Sequence, residues 1–374
     1  MKQPLRPLDA SPERETPPPA PGPEDLPASF PTLGTAPAKA ARLAIALEKQ
    51  LRALGVREGD CLLCAVSGGA DSTALACLMA LVAPRLRLRA PLVTCDHGLR
   101  PESAAEADFV EALGRLLGLA VIRLTLALDR AGTGLEERAR SARYEAMARV
   151  MEEQGAQWLV TAHHAGDLRE DMVLRLLRGT GWPGLGGMEA GDAERRLLRP
   201  LLDVEPSLLR EVLAELGIPH CEDASNLDTK FARNRIRHEI LPVLERENPR
   251  LDRALMDLAR LARVDAAFFA AETEKAMARC RRFESDGRPA LFAPMAVLCE
   301  LPSAVRLRLY MALVRALVRD GAKGQARAET LYRLDMALAA RSWPGRYQLP
   351  GGLVFTLERK GLTLACPRSQ DRQD

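Results

Sequence analysis

The stretch CLLCAVSGGADSTALACL, residues 61–78, places five small residues between two apolar segments. The first segment, CLLCAV, is short and apolar, which is typical of a buried strand. The second is rich in alanine and leucine, which favour a helix. A glycine pair at the junction permits a tight turn that exposes backbone N–H groups. Those donors and the positive end of the helix dipole predict an anion site, and phosphate is the anion that we expect.

Glycine is also common in ordinary strand-to-helix turns, so the glycines alone do not decide the function. The Walker pattern GxxxxGK[ST] is absent, and no lysine follows the glycines. The pattern SGGxDS instead resembles the PP-loop of ATP pyrophosphatases, which cleave ATP between its α and β phosphates. This resemblance implies that the loop holds pyrophosphate and that Asp71 lies near a magnesium ion. The residues that it assigns to ATP are Ser67, Gly68, Gly69, Ala70, Asp71 and Ser72.

Apolar strand-like and helix-like segments alternate along the first half of the chain. We predict strands at 61–66, 91–95, 119–126 and 157–161. We predict helices at 72–83, 102–117, 135–154 and 167–178. This alternation predicts an α/β domain with a parallel sheet and helices on both faces.

Polar clusters follow three of the predicted strands. SGGADS follows residue 66, DHGLR follows residue 95 and AHHAGD follows residue 161. Ligands of such sheets bind at the carboxyl ends of the strands. We therefore expect the three clusters to meet in one crevice.

The rest of the chain divides by composition. The first 40 residues hold 11 of the 26 prolines, so residues 1–37 are predicted to be a disordered leader. A helix is expected at 38–54 and another at 207–217, beyond which the strand rhythm stops. The predicted domains are therefore a PP-loop domain at 38–205, a mainly helical region at 206–340 and a short β tail at 341–374. The motif resemblance given below implies that the helical region binds tRNA.

Histidines and acids are concentrated in one short segment. His163 and His164 are adjacent in a chain with only five histidines. Asp167 and Glu170 are three residues apart, so they share a helix face. Paired acids suit magnesium or a substrate ammonium group, although the same spacing also fits a helix capping box. The two roles are compatible.

Basic residues are dense in KFARNRIRH, residues 230–238. A solvated helix face is one explanation, but planar guanidinium groups also bind phosphate well. The net charge of +3 is too small to prove a nucleic-acid partner by itself.

The cysteines and the apolar pattern bear on the cellular compartment in which the protein is expected. The CxxC spacing of Cys61 and Cys64 falls in a predicted buried strand without a second pair, so core thiols are expected. The first 40 residues contain no long apolar run of the kind found in a secretory signal or a membrane span. These features predict a reduced, cytoplasmic protein.

Taken in order, the motifs resemble those of the tRNA(Ile)-lysidine synthetase family. The chain has SGGADS, DHGLR, ARSARY, HHAGDLRED, RGTG, GLGGM, RPLL and DASN followed by RNRIRHEILP. The match covers about residues 60 to 250. Gly166, Leu168 and Asp171 stand where the family commonly has Asp, Gln and Thr, whereas Asp167 and Glu170 are retained.

The resemblance implies a reaction in two steps. ATP adenylates the C2 oxygen of the wobble cytidine in a tRNA(Ile) with a CAU anticodon, and pyrophosphate leaves. The ε-amine of free L-lysine then attacks C2, and AMP leaves. The implied cofactors are ATP and Mg²⁺, the partners are this tRNA and lysine, and the protein is a possible homodimer.

The resemblance also assigns roles to residues. Asp71 and Asp167 are the implied metal ligands. The catalytic candidates are Asp71, Asp96, His97, His163, His164, Asp167 and Glu170. The sequence does not show which of them accepts the proton from the lysine amine. The candidates for substrate binding are Arg100, Arg140, Arg143, Arg178, Lys230, Arg233, Asn234, Arg235 and Arg237.

Two alternatives remain open. Another PP-loop enzyme is one, but a tRNA thiolase would need reactive cysteines near the site, and a glutamine-using synthetase would need an ammonia-producing domain. A non-catalytic tRNA-binding protein with the same fold is the other. Intact Ser67, Asp71 and Ser72 argue against it.

Overall fold

The computed structural model describes residues 20–96, 102–126, 135–222, 230, 232–285, 287–319, 321 and 323–366, with backbone alone at 102, 135–137 and 139. The chain forms two compact units, Met1–Arg260 and Leu261–Asp374. This division differs from the boundary predicted at 205/206. The reason is that Leu213 and Ile236, beyond that boundary, are buried in cores of the first unit.

The first unit contains a six-stranded sheet in the order β3-β2-β1-β4-β6-β5. Its strands are β1 (Leu62–Ala65), β2 (Leu92–Asp96), β3 (Val121–Thr125), β4 (Trp158–Val160), β5 (Gly191–Asp192) and β6 (Leu197–Leu198). Every pair is parallel except β5 with β6. The four predicted strands are confirmed, whereas β5 and β6 have two residues each and leave too little pattern to be predicted.

The helices of this unit also match the prediction. They are α1 (Ala38–Ala53), α2 (Ala70–Val82), α3 (Glu102–Leu117), α4 (Leu135–Gln154), α5 (Ala165–Leu177) and α6 (Pro206–Leu216). Gly217, with φ of +65°, ends α6 in the left-handed conformation that glycine favours.

Strand β1 shows why both faces of the sheet are covered. Successive side chains of a strand point to opposite faces. Leu62 and Cys64 belong to the core that holds α1, α2 and α6, whereas Cys61 and Leu63 belong to the core that holds α4. All four are at most 1% exposed. The parallel sheet with helices on both faces is therefore confirmed.

The same alternation separates the two cysteines of the CxxC motif. Cys61 and Cys64 face different cores, so they do not form a metal or redox pair. Burial raises the pKa of the Cys64 thiol to about 12. The prediction of core thiols is confirmed at this pair.

We expect cysteine reactivity to follow this burial. Cys299 is the exposed thiol, whereas Cys61, Cys64, Cys77 and Cys221 are buried. Because the thiolate is the reactive form and burial disfavours it, Cys299 should react with a maleimide at least about tenfold faster than the buried thiols at pH 7. Mass spectrometry of peptides from the folded protein measures the order of labelling. Fast labelling of Cys64 would contradict the described core, and the unfolded chain provides the reference rate.

The prediction of a disordered leader at residues 1–37 is wrong for residues 20–37. Residues 1–19 lie outside the described residues. Within 20–37, a 3₁₀ turn at Pro23–Asp25 is followed by Leu26, Phe30 and Leu33, which pack against the core of the first unit. Proline prevents regular structure here, but it does not prevent interspersed apolar side chains from packing, so this part is not a disordered leader.

The basic segment lies beside α5. It forms α7 (Ala232–Arg235), a π-helical turn (Ile236–Ile240) and α8 (Leu241–Glu247). Ile236 and Leu241 are buried against Val173 of α5. This packing directs one face of the segment toward the acids of α5. Helix α9 (Leu251–Ala278) follows and continues into the second unit.

The second unit contains helices and a five-stranded antiparallel sheet. After α9 its elements are β7 (Arg281–Ser285), β8 (Arg288–Pro294), α10 (Met295–Glu300), α11 (Ser303–Arg319), α12 (Ala328–Ala339), β9 (Gly345–Gln348), β10 (Val354–Glu358) and β11 (Gly361–Ala365). The strand order is β7-β8-β11-β10-β9. The helical region and the β tail are confirmed.

The region at 206–340, which is predicted to be mainly helical, also contains the strands β7 and β8. β8 pairs with β11 of the tail, and Leu291 and Ala293 are buried in the core beneath that pairing. Strand preference depends on such packing more than on the local sequence, so the segment alone did not reveal it. Among the described residues, no helix combines the length and the apolar character needed to cross a membrane.

Candidate active site

The loop between β1 and α2 has the features of an anion site. Gly69 is the N-cap of α2, and no side chain caps this helix end. The N–H groups of the first turn therefore remain available to a ligand. Gly68 has φ of +89°, a conformation that favours glycine, and a Cβ there would lie 3.1 Å from Cys221 Sγ.

Side chains and a neighbouring segment hold this loop from both sides. Ser72 Oγ accepts a hydrogen bond from Ser67 N at 3.1 Å and donates to Gly69 O at 3.0 Å. The Gly68 carbonyl accepts from Thr73 Oγ1 and from Cys221 N, each at 2.9 Å. The sequence had not singled out Thr73 or Cys221 as loop contacts. Their contacts fix the orientation of the Gly68 peptide and keep the loop preorganised.

The two carboxylate oxygens of Asp71 differ, because one contacts His164 and the other has no hydrogen-bond partner among the described residues. Its Oδ2 lies 3.2 Å from His164 Nε2. Its Oδ1 is buried and accepts no hydrogen bond from any described residue. An unpartnered carboxylate oxygen beside a phosphate-binding loop fits a ligand of Mg²⁺, which usually takes one or two carboxylates together with substrate phosphates. The residues present therefore fit the implied metal through Asp71.

His164 joins this loop to the start of α5. It is the N-cap residue, and its Nδ1 accepts from Asp167 N at 3.4 Å. The backbone N–H of His164 donates to Asp167 Oδ2 at 3.0 Å, which completes a capping box. Burial opposes a charge on this imidazole, but the hydrogen bond to Asp71 and the charges of Asp167 and Asp71 outweigh burial, so the pKa of His164 is raised.

Asp167 and Glu170 face the basic segment. Arg233 Nη2 donates to Asp167 Oδ1 at 3.0 Å, and Arg233 Nε donates to Glu170 Oε2 at 2.7 Å. Arg237 Nε donates to Glu170 Oε1 at 2.5 Å. Arg233 thus contacts both acids, so the prediction that they share a helix face is confirmed. Glu170 is only 2% exposed.

These contacts change the interpretation of three residues. Arg233 and Arg237 were predicted to contact tRNA, but in the structure their guanidinium groups bind the two acids. Asp167 was predicted to bind metal, but Oδ1 faces Arg233 and Oδ2 faces His164. The pKa of Asp167 is lowered, because the charges of His164 and Arg233 outweigh the opposite effect of burial. No group of three or more His, Cys, Asp or Glu side chains suited to a metal occurs within the described ranges.

His163 has a different environment from its neighbour. Its Nδ1 lies 2.8 Å from Thr161 Oγ1, a contact that the sequence did not suggest. Burial lowers the pKa of His163 to about 4. The positive charges of Arg199, Arg233 and Arg140 also lower this pKa, whereas the negative charge of Asp167 raises it. The imidazole is therefore neutral at pH 7.

Asp96 lies at the carboxyl end of β2, next to β1, as predicted. Its Oδ1 accepts from Ser103 Oγ at 2.5 Å, and its Oδ2 pairs with Arg123 Nη2 at 3.1 Å. Both oxygens are engaged within the fold, so the structure favours a structural role. His97 and Arg100 lie outside the described residues.

The other predicted substrate ligands lie on or next to the helices α4, α5 and α7. Arg140 and Arg143 are exposed on α4, and the Arg140 guanidinium lies 5.6 Å from the centre of the Tyr144 ring. Arg178 is exposed at the end of α5. In the basic segment, Lys230 and Arg235 are exposed and Asn234 is half-buried, and Arg235 Nη1 donates to the Lys230 carbonyl at 2.7 Å. Their roles stay predictions.

Comparison with solved structures concerns the fold. The fold is similar to that of a solved structure, the U34-tRNA thiolase NcsA from Methanococcus maripaludis with its [4Fe-4S] cluster. The TM-score is 0.51 with 15% sequence identity, covering 60% of this chain and 80% of that one, so the likeness concerns the fold alone.

Sequence comparison is more specific. Residues 40–244 match a PP-loop domain family of ATP-binding proteins. The tRNA(Ile)-lysidine synthase of Nitratidesulfovibrio vulgaris is 40% identical over 322 residues, covering 82% of this chain and 91% of that protein. The tRNA(Ile)-lysidine synthase of Thermobifida fusca is 39% identical over 317 residues, covering 84% and 94%. The chain therefore belongs to the tRNA(Ile)-lysidine synthase family of ATP-using PP-loop ligases.

Proposed function

We propose that this protein ligates L-lysine to C2 of the wobble cytidine, C34, of tRNA(Ile) with a CAU anticodon. The reaction passes through an adenylated tRNA and releases pyrophosphate and AMP. The observation that carries the proposal is the buried, unpartnered oxygen of Asp71 beside the uncapped start of α2, linked through His164 to Asp167 of α5. The relatives named above support the choice of tRNA.

The first step requires stabilisation of a polyphosphate leaving group. The backbone N–H groups of Gly68 and Gly69 would hold the pyrophosphate, and they need no rearrangement because Ser72 and Cys221 already fix the loop. Asp71 Oδ1 would hold Mg²⁺, which neutralises charge on the phosphates. The tRNA oxygen that becomes adenylated would lie at the carboxyl end of β1.

The second step requires a neutral lysine amine. Asp167 contacts His164, which contacts Asp71, and Arg233 bridges Asp167 and Glu170. Arg233 and Arg237 balance the charge of these two acids. Because the guanidinium groups balance the two acids, an amine bound there would be held less strongly as a cation than it would be beside unpaired carboxylates. His163 would stay neutral with Thr161 at its Nδ1, so its Nε2 could accept a hydrogen bond that orients the amine, and we assign the proton acceptor to no single residue.

A thiolase activity is less well supported. Such an enzyme needs accessible thiolates, but burial raises the pKa of Cys95 to about 11 and those of Cys64 and Cys221 to about 12. Cys64, Cys95 and Cys221 are the cysteines nearest to the strand ends and the loop. A homodimer stays a prediction that light scattering of the purified protein tests.

The proposal predicts transfer of labelled lysine to one tRNA. With ATP and Mg²⁺, we expect incorporation into tRNA(Ile) with a CAU anticodon and one AMP per lysine. A C34U transcript and a methionine tRNA are the controls and should remain unlabelled. Turnover of ATP to AMP without lysine incorporation would reject the lysidine reaction but keep the PP-loop chemistry, and no turnover would favour a tRNA-binding protein.

A further inference from the structure

The glycine at position 166 has a steric role in this chain. Gly166 is the second residue of α5, directly after Ala165. A Cβ on Gly166 would lie 2.9 Å from Cε1 and 3.1 Å from Nδ1 of the His164 ring. The first distance is closer than real Cβ contacts, so any other residue at 166 would force the His164 ring to move.

The His164 ring is held at both of its nitrogens. Nδ1 contacts the N–H of Asp167, and Nε2 contacts Asp71 Oδ2 at 3.2 Å. The residue is 6% exposed. A ring that shifts away from position 166 therefore loses one or both contacts, because little open space surrounds it.

We propose that Gly166 is a positioning residue that lets His164 hold Asp71 in place for the cation of bound ATP. The ring restrains Oδ2 of Asp71 and leaves Oδ1 to face the cation. This inference rests on the proposed function, since it assumes that Mg²⁺-ATP occupies the loop.

Two substitutions separate the two contacts of the ring. Asparagine is a good N-cap residue, so His164→Asn keeps an acceptor for the Asp167 N–H but does not reach Asp71. Glutamine is longer, so His164→Gln presents an amide donor near the position of Nε2 and loses the cap. If the contact with Asp71 matters, His164→Gln should retain more function than His164→Asn.

The experiment measures the affinity of the full-length protein for ATP with Mg²⁺ and with EDTA, by titration calorimetry. We expect Mg²⁺ to raise the affinity of the wild type at least about tenfold. Gly166→Ala and His164→Asn should each lose most of that gain, with the affinity for metal-free ATP changed less than about twofold. His164→Gln should keep the gain to within about threefold.

The double variant Gly166→Ala/His164→Asn provides the decisive comparison. If Gly166 acts through the ring, adding a Cβ to His164→Asn costs nothing further, so the double variant should match His164→Asn. Gly181→Ala is the matched control, because a Cβ there meets no atom within 4 Å. Melting temperatures of all the variants show whether each protein is folded.

Three outcomes would overturn the inference. These are an unchanged Mg²⁺ gain in Gly166→Ala, additive losses in the double variant, or a larger loss in His164→Gln than in His164→Asn. Failure of the proposed function is a separate result, because then the wild type itself would bind Mg²⁺-ATP but transfer no lysine to tRNA.

Discussion

Replacing Asp71 with asparagine should lower the rate of pyrophosphate release about 10²–10³-fold, which is the range seen when one preorganised electrostatic contact to a transition state is removed. The expected loss follows from the one oxygen of this carboxylate that has no hydrogen-bond partner among the described residues. Oδ1 is buried without a partner among the described residues, whereas Oδ2 contacts His164. An amide removes the negative charge that would hold the cation but preserves the shape of the side chain.

The fold should tolerate this substitution. The asparagine oxygen can still accept a hydrogen bond from His164 Nε2, so the link between α2 and α5 remains. The melting temperature should therefore change little while the chemistry is lost. A separation of this kind distinguishes a catalytic effect from a general loss of structure.

The measurement is pyrophosphate release with saturating tRNA and ATP over a series of Mg²⁺ concentrations. Asp257→Asn is the control, because Asp257 is exposed and pairs only with arginines of its own helix among the described contacts. We expect wild-type rates for this variant. Full activity of Asp71→Asn at low Mg²⁺ would remove Asp71 from the phosphate site.

The local part of this architecture could be predicted from the sequence. The β1–loop–α2 unit is encoded by neighbouring residues, since an apolar run, a glycine pair and an Ala/Leu-rich segment each act over a few positions. The convergence of SGGADS and AHHAGD also followed, because parallel strands bring their carboxyl ends to one edge. Asp71 and His164 do meet there.

The contacts between distant segments could not be predicted in the same way. Arg233 and Glu170 are 63 residues apart, and they meet because Ile236 is buried against α5. An arginine that faces solvent and one that faces a buried acid look alike in a sequence, so Arg233 and Arg237 were assigned to tRNA. In the sequence, Gly166 only marks a position where the family commonly has Asp. The steric role of Gly166 becomes visible only with the position of the His164 ring.

Replacing Glu170 with glutamine should lower the free energy of unfolding of the first unit by about 3 kcal/mol. Glu170 is 2% exposed and accepts hydrogen bonds from both Arg233 and Arg237. Removing one partner of a buried ion pair costs about 3–5 kcal/mol, because the remaining charges stay desolvated without compensation. The two arginine side chains are about a third exposed, which places the expected loss at the lower end.

Asp171→Asn tests the same helix with a more exposed pair. Asp171 pairs with Arg175 one turn away, and both side chains are partly exposed, at 23% and 33%. Such pairs contribute less than about 1 kcal/mol. Urea unfolding followed by circular dichroism measures both variants, and an unchanged slope with denaturant shows that the comparison is valid.

The result also decides how the basic segment is used. If Glu170→Gln is destabilised much more than Asp171→Asn, Arg233 and Arg237 are held by the acids in the folded protein, and their contribution to tRNA affinity should be small. If the two variants lose similar stability, the guanidinium groups are solvated, and the earlier interpretation of Arg233 and Arg237 as phosphate ligands regains support. Salt-dependent tRNA binding by Arg237→Ala then provides the check, because each phosphate contact that is lost reduces the slope of affinity against salt concentration by about one.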